Sequence, residues 1–313
     1  MSSRGRFARP RALRASDTVA VIAPAGPFDR ESFEAGLRIL ATRYRPVFDE
    51  GLFARYRYLA GDDARRLAEL TAAMAEDSVR AVFAARGGYG SMRLLAGLWP
   101  KLARGGPSLD SPKPVVGFSD LTALHLALQA CGWVSIHGPV VTQLAKQPGE
   151  AIERLFRLLE STESPPAPLE GAPLCNGIAE GPLLGGNLSM LTRLLGTPYL
   201  PDLDGAVLLL EDVGERPYRL DRMWTHLALA GVFERVRGIV LGEFTDCEEP
   251  DADYRGADVL VTLATETGLP CLGGVRIGHG AVNLAAPLGC RVRLDADAGV
   301  LEFLEPAVAS PDR

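Results

Sequence analysis

One serine in this 313-residue chain lies where a nucleophile could be exposed. Residues 115–118 (VVGF) lead to Ser119 and Asp120, and helical spacing begins at Leu121. This order predicts a strand, a sharp turn and a helix, with the Ser119 hydroxyl beside the free N–H groups that begin the helix, where negative charge is stabilised. The alternative is that Ser119 or Asp120 only caps the helix, because Ser and Asp are favoured there.

A nucleophilic serine needs a base, and the chain contains four histidines. His125 and His226 fall inside segments with helical spacing, which is typical of packed or surface histidines. His137 lies in an apolar, strand-like segment and is the reserve choice. His279 has a glycine on either side, so the backbone can bring its ring into a site. We therefore favour His279 as the base.

A carboxylate that fixes the base is the third requirement. Glu211 follows the apolar run 206–210 (AVLLL) and can point into a cleft, whereas strand alternation turns Asp212 the other way. Glu215, four residues later, is a competing choice. The residue pattern alone gives Glu211 only a modest preference, and both remain open at this point.

A glycine-rich segment, residues 86–91 (RGGYGS), follows a predicted strand. It lacks the glycine order of dinucleotide-binding loops and the GK[ST] of phosphate-binding loops, which disfavours a nucleotide site. The alternative is that the Gly88 N–H joins the Asp120 N–H in an oxyanion hole. The sequence has no HExxH motif and no close cluster of histidines and carboxylates, so we expect no metal and no cofactor.

The elements that must position these residues differ between the two halves of the chain. Strand-like runs alternate with helical spacing over about the first 150 residues, which predicts a parallel, doubly wound sheet of the α/β class. The Pro- and Ser-rich segment 161–173 favours an interdomain linker. Farther on, two alternating runs within 291–304 predict a hairpin in a smaller α+β or β-rich domain. We expect domains at 1–160 and 177–313, joined by 161–176.

Composition excludes several classes of function. With 47% hydrophobic and 23% charged residues the chain is typical of a globular protein, and the net charge of −6 argues against a nucleic-acid partner. No apolar run reaches 18 residues, so we expect no membrane partner. Five arginines within residues 1–14, without a following apolar segment, predict a mobile basic arm rather than a secretion signal. Five dispersed cysteines favour a reducing cytoplasm.

Five ordered motifs resemble one family over residues from about 11 to 304. They are RGGYGSMRLL at 86–95, GFSDLTALH at 117–125, GGNLSMLTRLLGTPYLP at 185–201, LLEDVGERPYRLDRM at 209–223 and GVRIGHG at 274–280. Together they resemble the LD-carboxypeptidases of serine peptidase family S66. The resemblance implies a Rossmann-like N-terminal domain, a smaller C-terminal domain and a homodimer.

The resemblance also assigns residues. It implies Ser119, Glu211 and His279 as the catalytic triad, selecting Glu211 over Glu215, with the N–H groups of Gly88 and Asp120 as oxyanion donors. Substrate contacts are expected from four further residues, namely Arg86, Tyr89, Asn187 and Arg276. The cation that holds the substrate carboxylate stays open among four arginines, namely Arg86, Arg93, Arg216 and Arg276.

The implied substrate is murein tetrapeptide, whose terminal D-Ala is removed from meso-diaminopimelate during peptidoglycan recycling in the cytoplasm. A second branch of the family resembles microcin C immunity proteins, which cleave an amide between an aminoacyl group and a nucleotide-like moiety. A hypothesis of another class is a non-catalytic module that binds a nucleotide or a murein fragment.

Overall fold

The computed structural model of the chain describes residues 7–102 and 112–310. The first half contains β1 (Thr18–Ile22), α1 (Arg30–Ala41), β2 (Arg45–Val47), α2 (Asp63–Ala75), β3 (Val79–Ala84), α3 (Leu95–Leu102), β4 (Val115–Gly117), α4 (Thr122–Ala130), β5 (Ser135–His137), α5 (Val141–Leu144) and α6 (Gly149–Glu160). The second half contains β6 (Leu169–Glu170), β7 (Ala172–Cys175), β8 (Ile178–Asn187), α7 (Leu188–Arg193), β9 (Val207–Val213), α8 (Pro217–Leu229), β10 (Gly238–Thr245), α9 (Gly256–Glu266), β11 (Cys271–Gly273), β12 (Ala286–Leu288), β13 (Arg291–Asp295) and β14 (Val300–Phe303). Short 3-10 turns lie at Glu50–Phe53, Ser91–Leu94 and Ser119–Leu121.

The first sheet has the order β12-β5-β4-β3-β1-β2. All neighbouring strands in it are parallel except β12, which runs antiparallel to β5. Every residue of β1 is buried, as expected of a strand covered on both faces. The predicted parallel sheet of an α/β fold is confirmed.

The second sheet has the order β6-β14-β13-β8-β9-β10-β11-β7. Its centre is parallel, from β8 to β11, and β13 pairs antiparallel with both β14 and β8. The β13–β14 hairpin confirms the prediction for this region. Strand β8 was not predicted, because its glycines resemble a turn. Gly185 has φ +115°, and a Cβ there would collide with the backbone oxygen of Leu209, so close approach of β9 requires glycine.

The two halves interlock. Strand β12 comes from the second half of the chain but completes the first sheet. Helix α4 is buried along residues 122–129, and its apolar side chains share one core with those of β8 and β9. The expected linker 161–176 contains β6 and β7, which pair at opposite ends of the second sheet and are too short to show periodicity. The division at 160 and 177 stays a prediction.

The expectation of a mobile N-terminal arm is wrong for residues 7–14. Ala8 forms a bridge with Trp133, the Ala12 N–H donates to the Ala309 oxygen at 2.9 Å, and Leu13 is buried. Arg4 and Arg6 lie outside the described residues. Within residues 7–102 and 112–310, no helix is both long and apolar enough to cross a bilayer.

Candidate active site

Ser119 stands at a strained turn between β4 and α4. Its φ is +63°, in the left-handed region that costs a residue with a side chain about 1 kcal/mol or more. Neither Ser119 nor Asp120 caps the turn or the helix with its side chain. The half-buried hydroxyl is therefore presented at the end of the strand, and the capping interpretation does not account for this geometry.

His279 and Glu211 form a short hydrogen bond. The His279 Nδ1–H donates to Glu211 Oε2 at 2.6 Å, which leaves Nε2 as the proton acceptor of the neutral ring. Glu211 lies within β9 and is fully buried, whereas 13% of the His279 side chain is exposed. Gly278 allows this approach, because a Cβ there would lie 2.6 Å from Glu211 Oε2.

Glu211 has a second imidazole on its other side. His137, on β5, is fully buried, and its Nε2 lies 3.8 Å from Glu211 Oε1. Burial acts to raise the pKa of Glu211, but the two neighbouring imidazoles outweigh burial and lower this pKa below its ordinary value. Glu211 is therefore a carboxylate at neutral pH, and His137 lies behind it rather than in the cleft.

The other two histidines are a packed one and a surface one, as the sequence predicted. His125 is buried on α4, where its ring bonds the Gly117 oxygen at 2.8 Å and Ser135 Oγ at 2.9 Å. Burial lowers the pKa of His125 to about 3, so the ring is neutral. His226 is exposed on α8. His125 thus fixes the end of β4 next to Ser119.

The glycine-rich loop after β3 covers the serine. A Cβ on Gly87 would lie 3.2 Å from Ser119 Oγ, and Gly88 has φ +107°, so glycine is required for both the approach and the turn. Asp120 Oδ2 accepts the Ser91 N–H at 2.7 Å and ties this loop to the serine turn. Burial raises the pKa of Asp120.

These elements enclose a cleft of about 470 Å³. Ser119, His279, Gly87 and Gly88 all line it, so the structure brings the predicted nucleophile, base and one oxyanion donor to one cavity. Glu211 lies behind His279. Across residues 7–102 and 112–310, no group of three or more His, Cys, Asp or Glu side chains could hold a metal ion.

Two of the four expected substrate residues lie elsewhere. Asn187 is buried and caps α7, accepting the Met190 N–H at 3.1 Å and donating to Asp212 Oδ1 at 2.9 Å. Arg276 pairs with Glu150 at 3.3 Å and lines a separate cavity of about 790 Å³. Both side chains have internal partners outside the serine cleft, and their part in substrate binding stays a prediction.

The other two expected substrate residues, Arg86 and Tyr89, lie in or beside the serine cleft. Arg86 lines the serine cleft and also a neighbouring cavity of about 560 Å³. Tyr89 lines that neighbouring cavity and not the serine cleft, and its ring lies 5.9 Å from the Tyr58 ring, measured between centroids. Glu215, the competing carboxylate, accepts from Ser189 Oγ at 3.3 Å and pairs with Arg219 at 3.5 Å, away from His279.

Sequence reasoning missed part of the cleft wall. Lys146, Thr142 and Gln143 line the cleft from α5 and the turn after it, and Asp29 and Ser32 line it from the start of α1. These residues belong to none of the motifs. The one signal in the sequence was their position after β1 and β5, because loops at the carboxyl ends of parallel strands meet at one edge of the sheet.

Known proteins are similar to this chain over most of its length. Residues 19–138 match the family described as the LD-carboxypeptidase N-terminal domain, and residues 180–294 match its C-terminal domain. The murein tetrapeptide carboxypeptidase of Pseudomonas aeruginosa is 36% identical over 286 residues, covering 87% of this chain and 91% of that protein.

Solved structures show the same likeness. The muramoyltetrapeptide carboxypeptidase from Oxalobacter formigenes has a TM-score of 0.79 and 30% identity, with coverage of 91% of this chain and 97% of that one. A structure of MccF in complex with glutamyl sulfamoyl guanosine has a TM-score of 0.84 at 21% identity, covering 96% and 99%, which shows a shared fold. The two domain matches and the identity to the Pseudomonas protein place this chain in the LD-carboxypeptidase family, peptidase family S66.

Proposed function

We propose that this protein is a serine-type LD-carboxypeptidase that cleaves the amide bond between meso-diaminopimelate and the terminal D-Ala of murein tetrapeptide. The observation that carries the proposal is the 2.6 Å bond between His279 and the buried Glu211, with His279 and Ser119 lining one cleft. The names of the Pseudomonas and Oxalobacter relatives support the choice of a murein peptide.

The mechanism follows from the hydrogen bond between His279 and Glu211. Glu211 holds the Nδ1–H of His279, so Nε2 is free to take the proton of the Ser119 hydroxyl as it attacks the amide carbonyl. The N–H groups of Gly88 and Asp120 stabilise the resulting oxyanion. His279 then protonates the leaving D-Ala amine, and water, activated by the same ring, releases the acyl group from Ser119.

The two halves of the chain supply different catalytic groups. Ser119 and the glycine loop come from the first half of the chain, whereas Glu211 and His279 come from the second. A buried carboxylate stabilises an imidazolium more strongly than an exposed carboxylate does, because water screens the buried charge less. The full burial of Glu211 therefore favours proton transfer to His279 in the transition state.

The test is release of D-Ala from purified murein tetrapeptide, followed by mass spectrometry. We expect Ser119→Ala to lose activity while keeping its fold. The control Ser78→Ala changes an exposed serine that does not line the cleft and should keep activity. Wild-type activity in a folded Ser119→Ala variant would end the proposal. Trapping an acyl group on Ser119 would identify the nucleophile directly.

The same assay distinguishes the proposed function from two other functions. Cleavage of an aminoacyl-nucleotide amide in place of the tetrapeptide would favour a microcin C immunity-type hydrolase, an alternative in keeping with the MccF-like fold. Tight binding of a murein fragment or nucleotide without any product would favour a non-catalytic binding module.

Two further parts of the proposal concern assembly and location. We propose a homodimer, as the family resemblance implies, and light scattering of the purified protein would test it. We also propose the cytoplasm as the site of action, within peptidoglycan recycling. The five free cysteines suit a reducing compartment, and fractionation of cells would test this.

A further inference from the structure

The serine cleft contains two cations whose task the triad does not explain. Besides His279, the charged side chains that line it are Arg86, Lys146 and Asp29. Asp29 caps α1 by accepting the Ser32 N–H at 2.7 Å, so its carboxylate already has a partner. The described lining of the cleft therefore holds two positive charges and one negative charge.

A carboxypeptidase has to recognise the free carboxylate of the residue that leaves. In a terminal alanine this carboxylate is two bonds from the scissile nitrogen. The cation that binds it must therefore line the same cleft as the nucleophile, and a cation in a neighbouring cavity is too far away.

This requirement excludes three of the arginines that border the sequence motifs. Arg93 makes an ion pair with Asp63 at 2.6 Å, and Arg216 pairs with Glu249, also at 2.6 Å. Arg276 pairs with Glu150 and lines another cavity. These guanidinium groups lie outside the serine cleft and already have carboxylate partners.

Arg86 meets the requirement in part. It lines the cleft, but Nη1 donates to the Pro27 oxygen, and the side chain also faces the neighbouring cavity of Tyr58 and Tyr89. This backbone contact fixes the guanidinium at the border between the two cavities. Arg86 can therefore support a carboxylate in the cleft with its remaining N–H groups.

Lys146 meets the requirement fully. Its backbone N–H bonds to the Gln143 oxygen at 2.9 Å, which fixes the residue just after α5, and its side chain is exposed at the cleft. In the part of the chain that the structure describes, the Lys146 ammonium has no hydrogen-bond or ion-pair partner, and its charge is felt at Asp29. A strongly hydrated point charge with free donors suits a small carboxylate.

We infer that Lys146, supported by Arg86, forms the subsite for the free α-carboxylate of the leaving residue and so restricts the enzyme to terminal bonds. The inference rests on the proposed function and deepens it. A substrate that ends in an amide, or continues beyond this residue, leaves the Lys146 charge unpaired in the cleft and is disfavoured.

The test compares two substrates that differ only in this charge, the tetrapeptide acid and the same peptide ending in D-alaninamide. For the acid, Lys146→Met should lower kcat/KM by about tenfold to a hundredfold, mostly through KM, because a hydrogen bond to a charged group is lost. For the amide, which offers the Lys146 charge no partner, the variant should lose no activity. Lys146→Arg should restore most of the activity on the acid. Lys101→Met, at an exposed lysine on α3, is the matched control.

Binding to the inactive Ser119→Ala variant separates this inference from the proposed function. Calorimetry should measure the affinity of Ser119→Ala, and of the double variant with Lys146→Met, for the acid and for the amide. The preference for the acid should disappear in the double variant. If Lys146→Met lost equal affinity for the acid and the amide, Lys146 would have only a structural role. If it lost no affinity for the acid, the subsite would be refuted. Absence of D-Ala release by the wild type would refute the proposed function, while a lysine-dependent preference in binding would still support the subsite.

Discussion

Replacement of Glu211 by glutamine tests the proposed mechanism at its most buried charge. Glutamine keeps the shape of the side chain and can still accept the His279 Nδ1–H, so the ring should keep its orientation. Its amide nitrogen can face Nε2 of His137, which lies 3.8 Å from Glu211 Oε1. The substitution therefore removes mainly the negative charge.

The size of the effect follows from the charge that His279 acquires in the transition state. Carboxylate and imidazolium centres about 4 Å apart attract by about 4 kcal/mol at an effective dielectric constant of about 20. Because about 1.4 kcal/mol changes a rate tenfold, Glu211→Gln should lower kcat by about a thousandfold. The loss should appear in kcat rather than in KM, since the charge on His279 develops only during reaction.

The assay is steady-state release of D-Ala from murein tetrapeptide, with circular dichroism to verify the fold. Glu215→Gln is the matched control, because Glu215 pairs with Arg219 outside the cleft and its loss should change kcat less than about twofold. A loss below tenfold in Glu211→Gln would refute the role of Glu211. An equal loss in the control would show a general disturbance of the second half of the chain.

Two further predictions concern the serine turn. Gly87→Ala places a methyl group 3.2 Å from Ser119 Oγ and should lower kcat/KM at least about tenfold, because displacement of reacting groups by about 1 Å can cost a hundredfold. The control Gly149→Ala, where the added methyl group meets open space, should be neutral. Equal activity of the two variants would contradict the prediction. Burial raises the pKa of Asp120 above 3.8, so the folded protein holds the carboxyl proton of Asp120 more tightly than the unfolded chain does. The folded state therefore loses stability as pH rises. The free energy of unfolding of Asp120→Asn relative to wild type should therefore increase from pH 4 to pH 7 in urea titrations, and a decrease would show that the ionised Asp120 stabilises the fold.

The parts of the site that sequence could predict are those built by local order along the chain. A strand, a turn and a helix around Ser119, and glycines around His279, can be recognised from neighbouring residues, and the structure brings both residues to one cleft. The parallel first sheet was predictable for the same reason, because buried strands appear as continuous apolar runs.

The sequence could not show which side chains have partners far away along the chain. Arg276 borders a motif, yet it pairs with Glu150, more than a hundred residues earlier. Asn187 also lies in a motif, but Asp212 and the Met190 N–H use its side chain. Lys146 belongs to no motif, and only the folded chain shows that its ammonium faces the serine cleft without an ion pair. Which charges are free is therefore a property of the tertiary structure.

The packing between the halves explains how residues from two sheets can form one site. The backbone N–H of Asn187 in β8 donates to Thr122 Oγ1 at 3.0 Å, at the start of the helix that follows Ser119. A Cβ on Gly186 would lie 2.7 Å from the same oxygen, so this contact leaves no room for a side chain. Because β8 also pairs in parallel with β9, which carries Glu211, the serine turn is joined to the carboxylate through two adjacent backbones. Regular secondary structure holds groups more precisely than loops do, and this connection fixes Glu211, and through it His279, relative to Ser119.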